Sequence, residues 1–289
     1  MSVEMKNGEF SYLQALRDIL AEGILTDNRT GVKAYTVPHL MIQHDMQLGF
    51  PLLTTKKMAF KAIRVELEGF LKGITDKSWY QERGCHIWDE WCDPELVSHI
   101  TDPDEKKKAQ LVEDDLGPIY GSQWRVFNGS LCDEADQLKS IVRMLKKNPL
   151  DRRMVCSAWN PLVLNQQALP PCHVLWHVFA INGKLHLCYF QRSCDMFLGE
   201  PFNLASYGLL LHLLAKESDF KEGQLTAFLS NCHIYENHVE AVKEQLDRSP
   251  LDFPKIETKN FTSIFNWTHN QSSVIEYKCH PAIKAEIAV

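Results

Sequence analysis

A cysteine stands behind two prolines and before an imidazole in Leu169-Pro170-Pro171-Cys172-His173. Proline fixes the local backbone direction and donates no hydrogen bond, so the sulfur of Cys172 is aimed rather than free to wander. Downstream, Gln191-Arg192-Ser193-Cys194-Asp195 offers an amide, a cation, a hydroxyl and a carboxylate within five positions. If the fold brings the Arg192 guanidinium to the thiol, its charge favours the thiolate and lowers the pKa, which prepares a nucleophile. Free cysteines are more often buried structural thiols, a reading that fits poorly with the polar company of Cys172.

Such residues need a scaffold to hold them. Leu13, Leu16 and Leu20 share one face of a helix expected over Phe10–Glu22, with Gly23 placed to end it. The polar turn Asp27-Asn28-Arg29-Thr30-Gly31 precedes a strand expected over Tyr35–Ile42. A second helix is expected over Met58–Lys72, with Ile63, Leu67, Phe70 and Leu71 inward and Gly73 ending it. The charged segment Asp93–Asp115 reads as a solvated excursion. A third helix, Asp133–Lys147, stops at Asn148-Pro149, and a strand follows over Met154–Trp159. Val174–Ile181 and Leu185–Phe190 flank Asn182-Gly183, a strong two-residue hairpin signal. Leu204–Lys216 is the most apolar helix, Leu225–Asn231 a strand, and Glu236–Leu246 a last amphipathic helix. No linker or repeat divides the chain, so the expectation is one α+β domain, residues 1–289, with a substantial sheet.

The bulk numbers set bounds. With 289 residues, 45% of them hydrophobic and 24% charged, the composition is that of a globular protein with a large core. A net charge of -6 provides no global attraction for nucleic acid or anionic membrane, so an anionic substrate needs a local arginine cluster. Nine irregularly spaced cysteines, with no Cys-x-x-Cys pair, suggest neither a disulfide framework nor structural zinc, and no metal is expected. Reduced thiols point to a cytosol-like compartment. The start of the chain lacks a signal-peptide core, and no apolar run approaches the ~20 residues needed to span a bilayer.

Taken together, the motifs resemble those of thymidylate synthase, and the resemblance covers nearly the whole chain. It runs through Asn28-Arg29-Thr30-Gly31, Phe50-Pro51-Leu52-Leu53-Thr54-Thr55-Lys56-Lys57, Ile87-Trp88-Asp89-Glu90-Trp91, Gly117-Pro118-Ile119-Tyr120-Gly121 and Arg152-Arg153. After the two segments around Cys172 and Arg192 come Gly199-Glu200-Pro201-Phe202-Asn203-Leu204-Ala205-Ser206-Tyr207, His233-Ile234-Tyr235 and Ile287-Ala288-Val289. The resemblance implies a large mixed sheet flanked by helices, packed sheet to sheet in a homodimer, and methylation of dUMP to dTMP in the cytoplasm. The one-carbon and hydride donor would be 5,10-methylenetetrahydrofolate, released as dihydrofolate.

The resemblance also assigns residues. Cys172 would add to uracil C6 and so make C5 nucleophilic, while Glu66, His173 and Asn203 would manage the charge at O4. Tyr120 would assist removal of the C5 proton. The dUMP ligands would be Arg29, Gln191, Arg192, Ser193, Asp195, Asn203, His233 and Tyr235, with Arg152 and Arg153 donated by the partner subunit. The folate wall would comprise Trp88, Trp91, Asp195, Leu198, Gly199, Phe202, Ala288 and Val289. Neither a membrane nor nucleic acid is required.

The chain departs from the family pattern in places. Glu66-Leu67-Glu68-Gly69 stands where Glu-Leu-Leu-Trp is common, and Ser230-Asn231-Cys232 where Gly-Asp is common. Ala59 and Ala62 replace a polar or histidine-bearing stretch, and Glu200, where an apolar residue is usual, is expected beside the cleft. Two rivals follow. A dUMP hydroxymethylase would use the same fold and capture water instead of hydride, but Trp88 and Val289 favour water exclusion. A catalytically dead RNA- or protein-binding homologue fits poorly with Cys172, Arg192, Asn203 and Tyr120 together.

Overall fold

The computed structural model describes residues 6–129 and 135–286. Helix α1 covers Gly8–Glu22, and Asn7 begins it by accepting the N–H groups of Glu9 and Phe10 at 3.1 Å each. Its apolar face buries Tyr12, Leu13, Leu16 and Ile19. Two strands follow: β1, Ile24–Thr26, and β2, Ala34–Asp45. Helix α2, Phe60–Lys72, ends where Gly73 turns left-handed at φ 72°. Short α3, Lys77–Gln81, leads to the charged excursion, which carries helix α4, Pro103–Val112, with no buried residue. The roots of that excursion are stitched down, because Lys77 N–H donates to Asp114 O at 2.8 Å and Leu116 N–H to Thr75 O at 2.9 Å.

Helix α5, Tyr120–Arg125, presses against α2; a Cβ on Gly121 would lie 2.6 Å from the Phe70 Cα, so only glycine permits this approach. Helix α6, Gln137–Lys147, starts at the Asp136 cap, later than expected; expected positions 133–134 lie outside the described residues. Strand β3 is Val155–Ser157, and β4, His173–Ile181, and β5, Lys184–Gln191, form the expected hairpin. Asn182 and Gly183 take φ values of 49° and 74°, the left-handed pair such a turn requires. The two-residue β6, Cys194–Asp195, precedes α7, Gly199–Ser218, which starts earlier than the apolar run predicts. Pro201 is tolerated there because first-turn N–H groups have no partner in the helix. Then come β7, Lys221–Tyr235, helix α8, Val239–Leu246, and a small hairpin of β8, Lys255–Thr258, and β9, Ser272–Ile275.

The main sheet has seven strands in the order β1-β2-β7-β5-β4-β3, with β6 also paired to β7. It is mixed: β5 and β6 run parallel to β7, and the other pairs are antiparallel. Inward residues Trp176, Val178, Leu185, Leu187, Tyr189, Leu225, Ala227 and Leu229 meet the helices. Among the described residues, no helix is long and apolar enough to cross a membrane.

Two departures acquire physical reasons. A Cβ on Gly69 would lie 2.3 Å from the Tyr80 ring, so Tyr80 fills the room that a larger residue would take. Asn231 sits at φ 48°, a left-handed conformation that asparagine tolerates.

Candidate active site

The break between β5 and β6 creates the site. Both strands pair with β7, but Arg192 and Ser193 fall between the two runs and escape the ladder. Arg192 thereby reaches the cysteine turn: its Nε donates to Pro171 O at 3.0 Å and Nη2 to Pro170 O at 2.8 Å. Its backbone N–H donates to Cys172 O at 2.8 Å. The Cys172 N–H donates to Tyr120 Oη at 2.8 Å, which ties the turn to α5.

The expected depression of the Cys172 pKa is not the outcome. Burial raises it, and the opposing pull of Arg192 and Arg29 does not overcome that rise, to which Asp195 adds. The cysteine is therefore held as a thiol. Behind it, the His173 ring stacks on Tyr120 with centroids 4.0 Å apart, and its Nδ1 bonds Tyr207 Oη at 2.7 Å. Burial lowers the His173 pKa to about 3, so the imidazole is neutral.

Glu66, on α2, is pushed up by burial to about 7, while Trp88 acts in the opposite direction. A buried carboxyl titrating there can hold or release a proton near neutrality. Trp88 packs against Tyr120 at 6.1 Å, and its buried indole N–H faces the Glu66 carboxyl, which is how it opposes the effect of burial there. Asn203 Nδ2 donates to Gln191 Oε1 at 3.2 Å, and Gln191 Nε2 to Ser193 O at 3.3 Å, so α7 and the β5–β6 break hold both amides.

Asp195 spends Oδ1 on the N–H groups of Phe197 (2.9 Å) and Leu198 (3.1 Å), which sets the entry to α7. Leu198 and Phe202 are half-buried against the core, as is Trp91. His233 pairs in register with Asp195 and packs edge-on to Tyr235 at 5.1 Å. Arg29 and Asp195 both act on Tyr235, so the β1–β2 turn faces this end of β7.

Not every expected residue joins this cluster. Arg152 and Arg153 are exposed before β3, and Arg153 is occupied by Asp151 at 2.6 Å. Ala288 and Val289 lie outside the described residues. Glu200 is corrected: it is fully buried between α7 and β5, accepting from Tyr189 Oη at 2.6 Å, and does not stand beside the cleft. A carboxylate in the polar run before an apolar helix suggests exposure, and only the partner on β5 reveals otherwise.

Lys56 was not anticipated at the site. Its buried ammonium lies 3.8 Å over the Phe197 ring and donates to Phe197 O; burial lowers its pKa to about 7, against Asp195. The signal available was a lysine directly after Thr54-Thr55, whose amides and hydroxyls Glu9 binds at 2.7–2.8 Å.

A thiol attended by two guanidinium groups and backed by a proton-bearing carboxyl, at the end of a mixed sheet, defines a thiol-centred site for an anionic ligand. Comparison with known proteins makes the class specific. The family profile described as thymidylate synthase matches residues 10–289. A thymidylate synthase of Mycoplasma pneumoniae is 39% identical over 289 residues, 96% of this chain and 99% of that protein. A bifunctional dihydrofolate reductase-thymidylate synthase of Paramecium tetraurelia is 39% identical over 300 residues. The chain spans 63% of the length of that bifunctional relative. The chain belongs to the thymidylate synthase family.

Proposed function

We propose that this chain, as one domain over residues 1–289, methylates dUMP to dTMP and releases dihydrofolate. The observation that carries the reading is the convergence of Cys172, Arg192, Glu66, Asn203 and Tyr120 on one end of the sheet. Arg29, Arg192 and Ser193 bind the phosphate, and a dianion there draws the guanidinium groups into ion pairs. Cys172 Sγ bonds to C6 of the pyrimidine, the C5=C6 electron pair shifts toward O4, and the thiol's proton passes through the polar groups of the site to O4, which leaves an enol that is nucleophilic at C5. The charge that grows at O4 is met by the amide of Asn203, held by Gln191, and by the proton store of Glu66 with the neutral imidazole of His173. Asp195 completes the polar edge of the site, and His233 and Tyr235 take the ribose hydroxyl. Tyr120, braced by its contact with Cys172 N–H, stands ready to assist loss of the C5 proton.

Trp88, Trp91, Leu198, Gly199 and Phe202 fit a flat heterocycle: the half-buried apolar surface of Trp91, Leu198 and Phe202 suits it. Reduced folate, 5,10-methylenetetrahydrofolate, supplies the one-carbon unit and the hydride when bound. Ala288 and Val289 lie outside the described residues; the role proposed for them is to keep water out while hydride transfers.

A homodimer is part of the proposal. Register places Met41, Phe228, Phe190 and Leu175 in one lateral row on the outer sheet face. The first three are 49%, 46% and 38% exposed, an apolar stripe suited to a second copy. Arg152 and Arg153, free of their own site, then reach the partner's phosphate. The proposed compartment is the cytoplasm.

Cys172→Ala tests the nucleophile. It should abolish turnover while calorimetry still detects dUMP binding; substantial residual turnover would remove Cys172 from the mechanism.

A further inference from the structure

Glu200 begins α7 fully buried, where an apolar residue would pack with no polar group to satisfy. Its Oε1 accepts from Tyr189 Oη at 2.6 Å, and Oε2 faces the Cys194 thiol at 3.5 Å. Tyr189, on β5, lies flat against Tyr207, with centroids 4.2 Å apart and planes 12° apart. Tyr207 is two turns along α7 from Glu200, on the same face, and its hydroxyl bonds His173 Nδ1 at 2.7 Å. His173 stacks on Tyr120, whose hydroxyl accepts Cys172 N–H at 2.8 Å. Hydrogen bonds and ring stacks thus alternate in one column from a buried acid to the backbone of Cys172.

We propose that the Tyr189–Glu200 pair positions the His173 imidazole, by fixing Tyr207, for the reaction proposed above, on which this inference rests. An apolar contact is non-directional and lets stacked rings slide. A hydrogen bond is directional, so anchoring the Tyr189 hydroxyl fixes its ring in the plane of the stack. Tyr207 then presents one hydroxyl position to His173, and the imidazole one orientation to the pyrimidine. Glu200 is a positioning residue, since it touches neither substrate nor nucleophile.

Protonation matters to the column. Burial pushes the Glu200 pKa up to about 8, against the pull of Tyr189 and Cys194. The groups facing it are Tyr189 from β5, Cys194 from β6, Tyr12 from α1 and Tyr207 from its own helix, and none of these is a cation. Ionisation therefore leaves an unpaired carboxylate beneath the site.

Steady-state kinetics of the full chain with dUMP and 5,10-methylenetetrahydrofolate test the inference. Tyr189→Phe keeps the ring and loses the anchor; kcat should fall about tenfold with KM for dUMP within about twofold. Glu200→Leu should do the same. Glu200→Gln keeps an acceptor and cannot ionise, so it should retain kcat at pH 7. The parent should lose kcat above about pH 8, and this variant should not. Parental kcat in Tyr189→Phe and Glu200→Leu, or an alkaline limb unchanged in Glu200→Gln, would overturn the positioning role. A rise in KM for dUMP matching the fall in kcat would overturn it too, as general damage to the site. Failure of the parent chain to form dTMP would instead reject the proposed reaction, whatever the variants do.

Discussion

At Cys172 two effects oppose each other on one sulfur. Burial favours the thiol, the guanidinium groups of Arg192 and Arg29 favour the thiolate, and burial wins. The Pro-Pro-Cys-His run and the arginine were legible as a candidate site from residue types alone, and the structure brings them into contact. The balance was not, because burial depends on Tyr120, Arg192 and the sheet edge meeting in space. Glu200 and Lys56 were hidden for the same reason: their neighbours Tyr189 and Phe197 come from other elements. Asn203 illustrates what a held amide can decide. With Nδ2 already donating to Gln191, the remaining donor and Oδ1 suit the uracil edge, O4 and N3–H. Asn203→Asp should shift preference from dUMP toward dCMP, because a protonated carboxyl complements cytosine. Competition between the two nucleotides measures this, and an unchanged margin for dUMP would show that Asn203 does not read the base.

The elements were read well where local chemistry sets them. The Asn182-Gly183 hairpin and the Gly73 stop of α2 stand as expected, since positive φ is a local demand. Strands β1, β6, β8 and β9 were missed because two to four residues carry no periodicity. Strand β7 runs beyond the expected Leu225–Asn231 at both ends, and its buried Cys232, His233 and Ile234 break any alternation. On α2, Glu68, which the sequence marks only as a departure from the family pattern, clasps the chain near β9. Its Oε2 accepts from His269 N–H at 2.8 Å and from His269 Nδ1 at 2.6 Å, while Oε1 pairs with Lys72. Those partners hold its pKa below the ordinary carboxylate value despite burial. A depressed folded pKa contributes stability above the unfolded pKa and loses it as pH falls through the folded one. Denaturant midpoints should therefore drop on acidification below about pH 4.5, and Glu68→Gln should show a shallower drop from a lower plateau. An identical acid dependence in the variant would exclude Glu68 from the effect.

For the molecule as a whole, the sheet has one face sealed by helices and another bearing the Met41–Phe228–Phe190–Leu175 row. That asymmetry was not visible in the strands, because both faces of β5 and β7 carry apolar side chains. The proposed homodimer gives Arg152 and Arg153 a role that they lack within one subunit. Mixing inactive Cys172→Ala subunits with Arg152→Ala/Arg153→Ala subunits should restore activity, since one site of each heterodimer is intact. Heterodimers that form and stay inactive would contradict donation between subunits.

In the proposed reaction hydride, and not water, completes the transfer. Mass spectrometry of both products after incubating the full chain with dUMP and 5,10-methylenetetrahydrofolate should find dTMP and dihydrofolate in equal amounts. Formation of 5-hydroxymethyl-dUMP, with tetrahydrofolate left unoxidised, would show that water wins instead.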